Sequence, residues 1–171
     1  MQRILSSVLP AQVGEKVTIA GWIHRRRLLK SVAFLIVRDA GGLAQVVITS
    51  PELRAEVEAL TEETVVEVSG TVVANETAPA GVEVTDATVR VLSEAQPPPF
   101  DLYRPSLTAS LPTLLDHAAL SLRHPRRQAA FRMSAAAVGG FRSTLDEAGY
   151  VEIHTPKIVG SATESGANVF A

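Results

Sequence analysis

The sequence predicts a β-rich α+β chain: a five-stranded barrel, then a linker, then a helix-led segment with little sheet of its own. Three observations predict it. Apolar residues alternate with polar ones over Thr18–Arg26, Val65–Val73 and most of Val82–Leu92, the period of strands with one face in a core. One short stretch with helical spacing, Pro51 to Leu60, falls between the third and fourth apolar strands. Glu94 to Pro105, EAQPPPFDLYRP, then breaks every period, and its three consecutive prolines favour an extended, semi-rigid connector. The expected limits are a barrel over 1–93, a linker over 94–110 and a second domain over 111–171.

Met1 to Pro10, with Ile4, Leu5, Val8 and Leu9, is expected to cover one end of the barrel, and Val13-Gly14-Glu15 turns into the first strand. In Thr18–Arg26, Ile19, Gly21 and Ile23 share one face and Ala20, Trp22 and His24 the other. Ala33–Arg38 is a second strand and Leu43–Thr49 a third. Asp39-Ala40-Gly41-Gly42 joins them with residues that tolerate positive φ, so the three form an antiparallel meander. Ser50 is an N-cap, Pro51 suits the first helical position, Glu52 suits the first turn, and Leu53, Val57 and Leu60 follow at helical spacing. Val66, Val68, Gly70 and Val72 face one way in the fourth strand, and Asn75–Gly81 is a turn-rich loop. The fifth strand is interrupted near Asp86. Three strands, a helix and two strands is the order of the OB-fold, a Greek-key barrel that binds oligonucleotides on its second and third strands.

Past the linker, Leu111–Leu122 is weakly helical. Pro125 opens a longer helix with the stripe Phe131, Ser134, Val138, Phe141 and Leu145. Gly139-Gly140 weakens it by about 1 kcal/mol per residue relative to alanine, which predicts close approach of another backbone. The helix is expected to stop at Gly149. Tyr150–Ile153 reads as a short strand, Thr155-Pro156 as a stop and Lys157–Val159 as extended chain.

Composition limits the function. The 171 residues carry a formal charge of −2 and no cysteine, which rules out disulfides, thiol nucleophiles and thiolate zinc sites. The four histidines show no metal-ligand spacing, no apolar run approaches the length of a membrane span, and a cytoplasmic location is expected. Nucleic acid cannot be held here by bulk electrostatics. Up to Phe100 there are 9 basic and 12 acidic residues, yet three of the basic ones are Arg25, Arg26 and Arg27, followed by Lys30. A basic run at a strand end beside an aromatic on the next strand, Phe34, offers cations for phosphates and a ring for an unpaired base.

The pattern Gly21-Trp22-Ile23-His24-Arg25-Arg26-Arg27, then Phe34, Arg38-Asp39 and Gln45, resembles the anticodon-binding OB domain of class IIb aminoacyl-tRNA synthetases, most closely the aspartyl enzymes. Gly149 to Ile158, GYVEIHTPKI, is similar to class II motif 1, and Thr163-Glu164-Ser165-Gly166-Ala167 to the loop that closes over the amino acid. The resemblance implies tRNA as partner, with no role for DNA or membrane. Phe34 would stack on an anticodon base, Arg27 and Gln45 would contact the anticodon, and Glu164 would meet the amino-acid substrate. Gly149, Ile153 and Pro156 would stand in a homodimer interface at the start of the catalytic domain. It also implies ATP and Mg2+, although the motif 2 and motif 3 arginines that clamp ATP do not occur in these residues, so the chain alone is expected to be inactive. Arg27-Leu28-Leu29-Lys30 replaces the family's Arg-Asp-Leu-Gly, and Ser165 replaces a glycine. His24 and Pro79 accompany non-discriminating aspartyl enzymes, which charge both aspartate and asparagine tRNAs. A histidine able to switch tautomer would accept cytosine and uracil alike. An asparaginyl-tRNA synthetase and a stand-alone tRNA-binding module are the alternatives.

Overall fold

A computed structural model of the chain describes residues 2–156. The strands are β1 (Lys16–Leu28), β2 (Ala33–Arg38), β3 (Leu43–Ile48), β4 (Val65–Ala74) and β5 (Val82–Ser93), and α1 (Pro51–Ala59) lies between β3 and β4. They close a barrel in the order β1-β2-β3-β5-β4. This is the predicted OB-fold. Ser50 caps α1 through its Oγ, 3.3 Å from the Leu53 amide.

The long first strand serves two neighbours. Its first half pairs with β4, from Lys16↔Thr71 to Trp22↔Val65, and its second half with β2, from Trp22↔Arg38 to Leu28↔Ala33. Gly21 stands where it changes partner: a Cβ there would lie 2.1 Å from the Arg38 carbonyl oxygen, so only glycine lets the two backbones approach. The expected break in β5 is a bulge. Asp86 has φ 49°, and the β4–β5 register shifts by one residue between Ser69↔Thr88 and Thr71↔Thr85. The final closure, β3 against β5, is parallel and only two pairs long, Gln45↔Glu83 and Val46↔Val84.

Ile19, Ile23, Leu35, Val37, Val46, Ile48, Val66, Val68 and Val84 fill the interior, Leu9 from a 3-10 helix over Ser6–Gln12 joins this core, and Val57 of α1 packs into it. Asp39 fastens the N-terminal segment to the β2–β3 turn. Its carboxylate accepts from the Ser6 amide (2.7 Å) and hydroxyl (2.5 Å) and from the Gly41 and Gly42 amides (2.7 and 3.0 Å).

The residues after β5 are not a bare spacer. Phe100 and Leu102 are buried in a second cluster with Leu114 of α2 (Leu111–Asp116), packed by Leu107, Ala109 and Leu120, the last from α3 (Ala118–Ser121). The prolines hold the chain extended, but an aromatic and a leucine next to them bury apolar area rather than leave it in water. Compactness divides the chain into Met1–His124 and Pro125–Ala171.

In the second unit α4 (Pro125–Glu147) ends in a Schellman motif: Gly149, at φ 83°, donates to Asp146 (2.9 Å) and Tyr150 to Leu145 (3.0 Å). One expectation fails here. Tyr150–Ile153 is not a strand, because among the described residues of this unit no strand edge exists to pair with it. Nothing lies within 4 Å of a Cβ placed on Gly139 or Gly140, so no described backbone approaches them. No residue of α4 is buried, and its stripe is open, with Phe131 63% and Phe141 67% exposed.

Candidate nucleic-acid interface

Side chains alternate across the barrel wall, so the register fixes what shares its outer face. One row runs Arg27–Phe34–Val47, the next Arg25–Ile36–Gln45–Glu83, and a third Trp22–Arg38–Leu43. The period of two also divides the arginine triplet. Arg25 and Arg27 face out, whereas Arg26 turns under α1, where Nη1 donates to the Glu58 carbonyl (2.8 Å) and Nη2 pairs with Glu62 (3.4 Å). The middle arginine is a helix C-terminal cap, not a phosphate ligand.

Arg27, Phe34 and Gln45 meet. The Arg27 guanidinium carbon lies 5.0 Å from the Phe34 ring centroid, and Nη2 donates to Gln45 Oε1 at 3.0 Å. Gln45 Nε2 donates to Glu83 Oε2 at 2.9 Å, and Asn75 Nδ2 donates to the same oxygen at 2.8 Å. A guanidinium only donates and a carboxylate only accepts, so the amide of Gln45 has a single orientation consistent with both partners. Gln45 is 4% exposed and forms the floor of the cluster, with Arg27 and Phe34 above it. Glu83 and Asn75 were not singled out in the sequence. The only signal would have been the β3–β5 pairing, which two short runs of alternating residues do not reveal.

His24 stands at the β1 bulge between Ile23 and Arg25. Its Nδ1 lies 3.0 Å from Arg38 Nη1 and must accept, since arginine cannot, which leaves the proton on Nε2. Burial, then the neighbouring Arg38 charge, pushes its pKa below the ordinary value, so the imidazole is neutral at pH 7. The structure therefore corrects the expected tautomer switch, because Arg38 fixes one tautomer. Arg38 is held in turn by Glu63, with Nη1 to Oε1 at 2.8 Å and Nη2 to Oε2 at 2.9 Å, and Arg123 donates to the same carboxylate. The guanidinium carbons of Arg38 and Arg123 lie 5.7 and 5.1 Å from the Trp22 ring centroid. Glu63, 7% exposed and at φ 69°, is the hub of this second cluster.

Pro79 opens a 3-10 turn over Pro79–Gly81 between β4 and β5, against β3. Gly149, Ile153 and Pro156 belong to the second unit, and Glu164 lies outside the described residues. Among the described residues no three His, Cys, Asp or Glu side chains stand close enough to hold a metal ion. No described helix is long and apolar enough to cross a membrane.

Comparison with known proteins follows the same division. Residues 17–92 match the OB-fold nucleic acid binding domain family, and residues 110–171 match the class II tRNA synthetases (D, K and N). An aspartate–tRNA(Asp/Asn) ligase of Methanopyrus kandleri is 39% identical over 96% of this chain and 39% of its own length. One of Archaeoglobus fulgidus is 38% identical over 99% of this chain and 40% of its own. The crystal structure of asparaginyl-tRNA synthetase from Pyrococcus horikoshii complexed with asparaginyl-adenylate matches with a TM-score of 0.86 at 28% identity, covering 99% of this chain and 40% of that one. The chain thus spans about two fifths of the length of the relatives it matches. A closed OB barrel followed by the first helices of a synthetase domain, with the two family models matched in that order, gives this chain an OB-fold nucleic acid binding domain followed by part of a class II (D, K and N) tRNA synthetase domain.

Proposed function

We propose that the barrel, residues 1–93, binds the anticodon loop of tRNA as part of an aspartate–tRNA ligase that serves both aspartate and asparagine tRNAs. The observation that carries this is the Arg27–Phe34–Gln45 cluster: a ring able to stack on a base, a guanidinium beside it and an amide locked in one orientation. The names of the Methanopyrus and Archaeoglobus relatives support the choice of tRNAs.

Relaxed specificity at the third anticodon letter has a chemical basis in His24. With Nδ1 occupied by Arg38, the ring offers Nε2–H, a donor. Cytosine and uracil share the O2 acceptor and differ at N3 and at the group on C4, so a donor directed at O2 does not separate them. Pro79, which has no N–H to commit, completes this reading.

Residues 111–171 are read as the start of the catalytic domain beyond a 94–110 linker, with Gly149, Ile153 and Pro156 in a homodimer interface. Support comes from the open apolar stripe of α4, which no other described residue of its unit buries. Glu164 as an amino-acid contact, ATP and Mg2+ as cofactors and a cytoplasmic setting follow from the family. No step of adenylate formation is assigned to the residues described.

The test is titration of anticodon stem-loops ending in GUC and GUU at one fixed salt concentration. Affinities within about tenfold of each other are expected, and a hundredfold preference for GUC would reject relaxed specificity. Phe34→Ala should weaken both by about 1–3 kcal/mol. Unfolding of that variant would instead assign Phe34 to the core.

A further inference from the structure

Most arginines of the outer face and its edges are already engaged. Arg27 donates to Gln45, Arg38 is gripped by Glu63, and Arg26 caps α1. Arg25 is different. Its side chain is exposed, and among the described residues its guanidinium makes neither a hydrogen bond nor an ion pair. It is nevertheless held, because its guanidinium carbon lies 4.5 Å from the ring centroid of Tyr103, a residue of the segment after the barrel.

Tyr103 is itself well fixed. Its hydroxyl donates to Asp101 Oδ2 at 3.2 Å, and that oxygen also accepts from Arg104 Nε at 2.7 Å. His124 Nε2 lies 2.9 Å from the Arg104 carbonyl oxygen and donates to it. Buried Phe100 and Leu102 anchor the chain on the N-terminal side. A guanidinium held over a fixed ring has already lost much of its rotamer freedom, yet none of its N–H donors is consumed by the contact. Arg25 and Arg27 are two residues apart on one strand, hence about 7 Å apart, comparable with successive phosphates of one nucleic-acid strand.

We propose that Arg25, poised on Tyr103, contacts the phosphodiester backbone of the RNA strand whose bases face Arg27 and Phe34. The segment after the barrel is then part of the RNA-binding surface, and Tyr103 is a positioning residue. This rests on the reading that the barrel binds RNA.

The test uses the 171-residue chain with Arg25→Ala, Tyr103→Ala, Tyr103→Phe and the Arg25→Ala/Tyr103→Ala double variant. Binding to an anticodon stem-loop is followed across a series of salt concentrations. Arg25→Ala should lower affinity about five- to tenfold and flatten the log–log salt dependence by about 0.7–0.9. Tyr103→Ala should do the same to a smaller degree, Tyr103→Phe should match the parent, and the double variant should be no worse than Arg25→Ala alone. An unchanged salt slope in Arg25→Ala overturns the phosphate contact. Full affinity and slope in Tyr103→Ala, beside a loss in Arg25→Ala, overturn the positioning role. If Tyr103→Ala melts early, Tyr103→Leu takes its place, keeping buried volume without the ring. The same series on an oligouridine separates the two readings. Equal binding of oligouridine and stem-loop sinks anticodon recognition, whereas the Arg25 slope on oligouridine still decides the backbone contact.

Discussion

Replacing Glu83 by alanine is expected to weaken RNA binding even though it removes a negative charge from the surface proposed to meet RNA. Two effects oppose each other. At roughly 10 Å from a phosphate in a water-like dielectric, the lost repulsion amounts to about 0.4 kcal/mol, and physiological salt reduces it further. On the other side, Gln45 Nε2 and Asn75 Nδ2 both lose the carboxylate oxygen they share. A hydrogen bond to a charged group contributes about 1.5–3 kcal/mol, and Gln45, only 4% exposed, has little access to replacement water. Its amide then loses its fixed orientation, and Arg27, bonded to Oε1, loses an anchor beside Phe34. The second effect wins. The expected net loss in stem-loop affinity is about 1–2 kcal/mol, roughly 5- to 30-fold, with a similar loss in folding stability. Glu83→Gln, which keeps a neutral acceptor, should fall between alanine and the parent. Fluorescence titration at fixed salt, paired with chemical denaturation of each variant, measures both quantities. A folded Glu83→Ala chain that binds as tightly as the parent, or tighter, refutes the reasoning.

Glu63→Gln should destabilise the first unit by about 2–4 kcal/mol, since it leaves Arg38 and Arg123 facing a neutral partner in a mostly buried site. Trp22 is the sole tryptophan of the chain and lies beside both arginines, so its emission reports this cluster during denaturation, and an unshifted midpoint would contradict the assignment. The lowered pKa of His24, which lies near Arg38, Glu63, His124 and Arg25, means that the folded state binds fewer protons there than the unfolded state. Stability from this residue is present above about pH 6.5, declines as pH falls below that value, and levels off once pH passes below the folded pKa. His24→Gln should remove this part of the pH dependence, and superimposable stability–pH curves for parent and variant would count against it. Asp39→Ala, which forfeits bonds to Ser6, Gly41 and Gly42, should cost about 2–4 kcal/mol and increase proteolysis near the N-terminus. Equal cleavage of parent and variant would show that Asp39 does not hold that segment.

The strands were legible because β1 and β4 carry the period-two alternation of a barrel wall and β2 and β3 are short apolar runs bounded by turn residues, and even the break at Asp86 showed as an interruption of β5. The same rule carried straight on from Ile23 would have placed Arg26 outside with Trp22 and His24; the bulge between Ile23 and Arg25, which no local pattern announces, reverses the faces. Phe100 and Leu102 were hidden by their neighbours: prolines signal extended chain and do not say whether that chain is solvated. Tyr150–Ile153 has strand-like composition, but sheet pairing is a property of two segments and only one is described here. Arg27, Phe34 and Gln45 could be nominated singly, whereas Glu63 and Glu83 read as ordinary solvated glutamates. Their importance arises from partners 25, 38 and 60 residues away in sequence, a relation no local pattern contains.

The parallel closure between β3 and β5 sets a constraint on how base preference can change. Gln45 and Glu83 are the first of only two residue pairs that join these strands, so the side chains proposed to shape recognition also bridge the shortest strand pairing of the barrel. Short pairings open first, and amide exchange at Val46 and Val84 should be among the fastest in the core and should slow when RNA engages Gln45. A substitution that gives position 45 a different base preference therefore also alters how often the barrel opens at that edge. Viable changes in specificity should arrive as matched replacements at 45 and 83, the second restoring the cross-strand bond that the first removed.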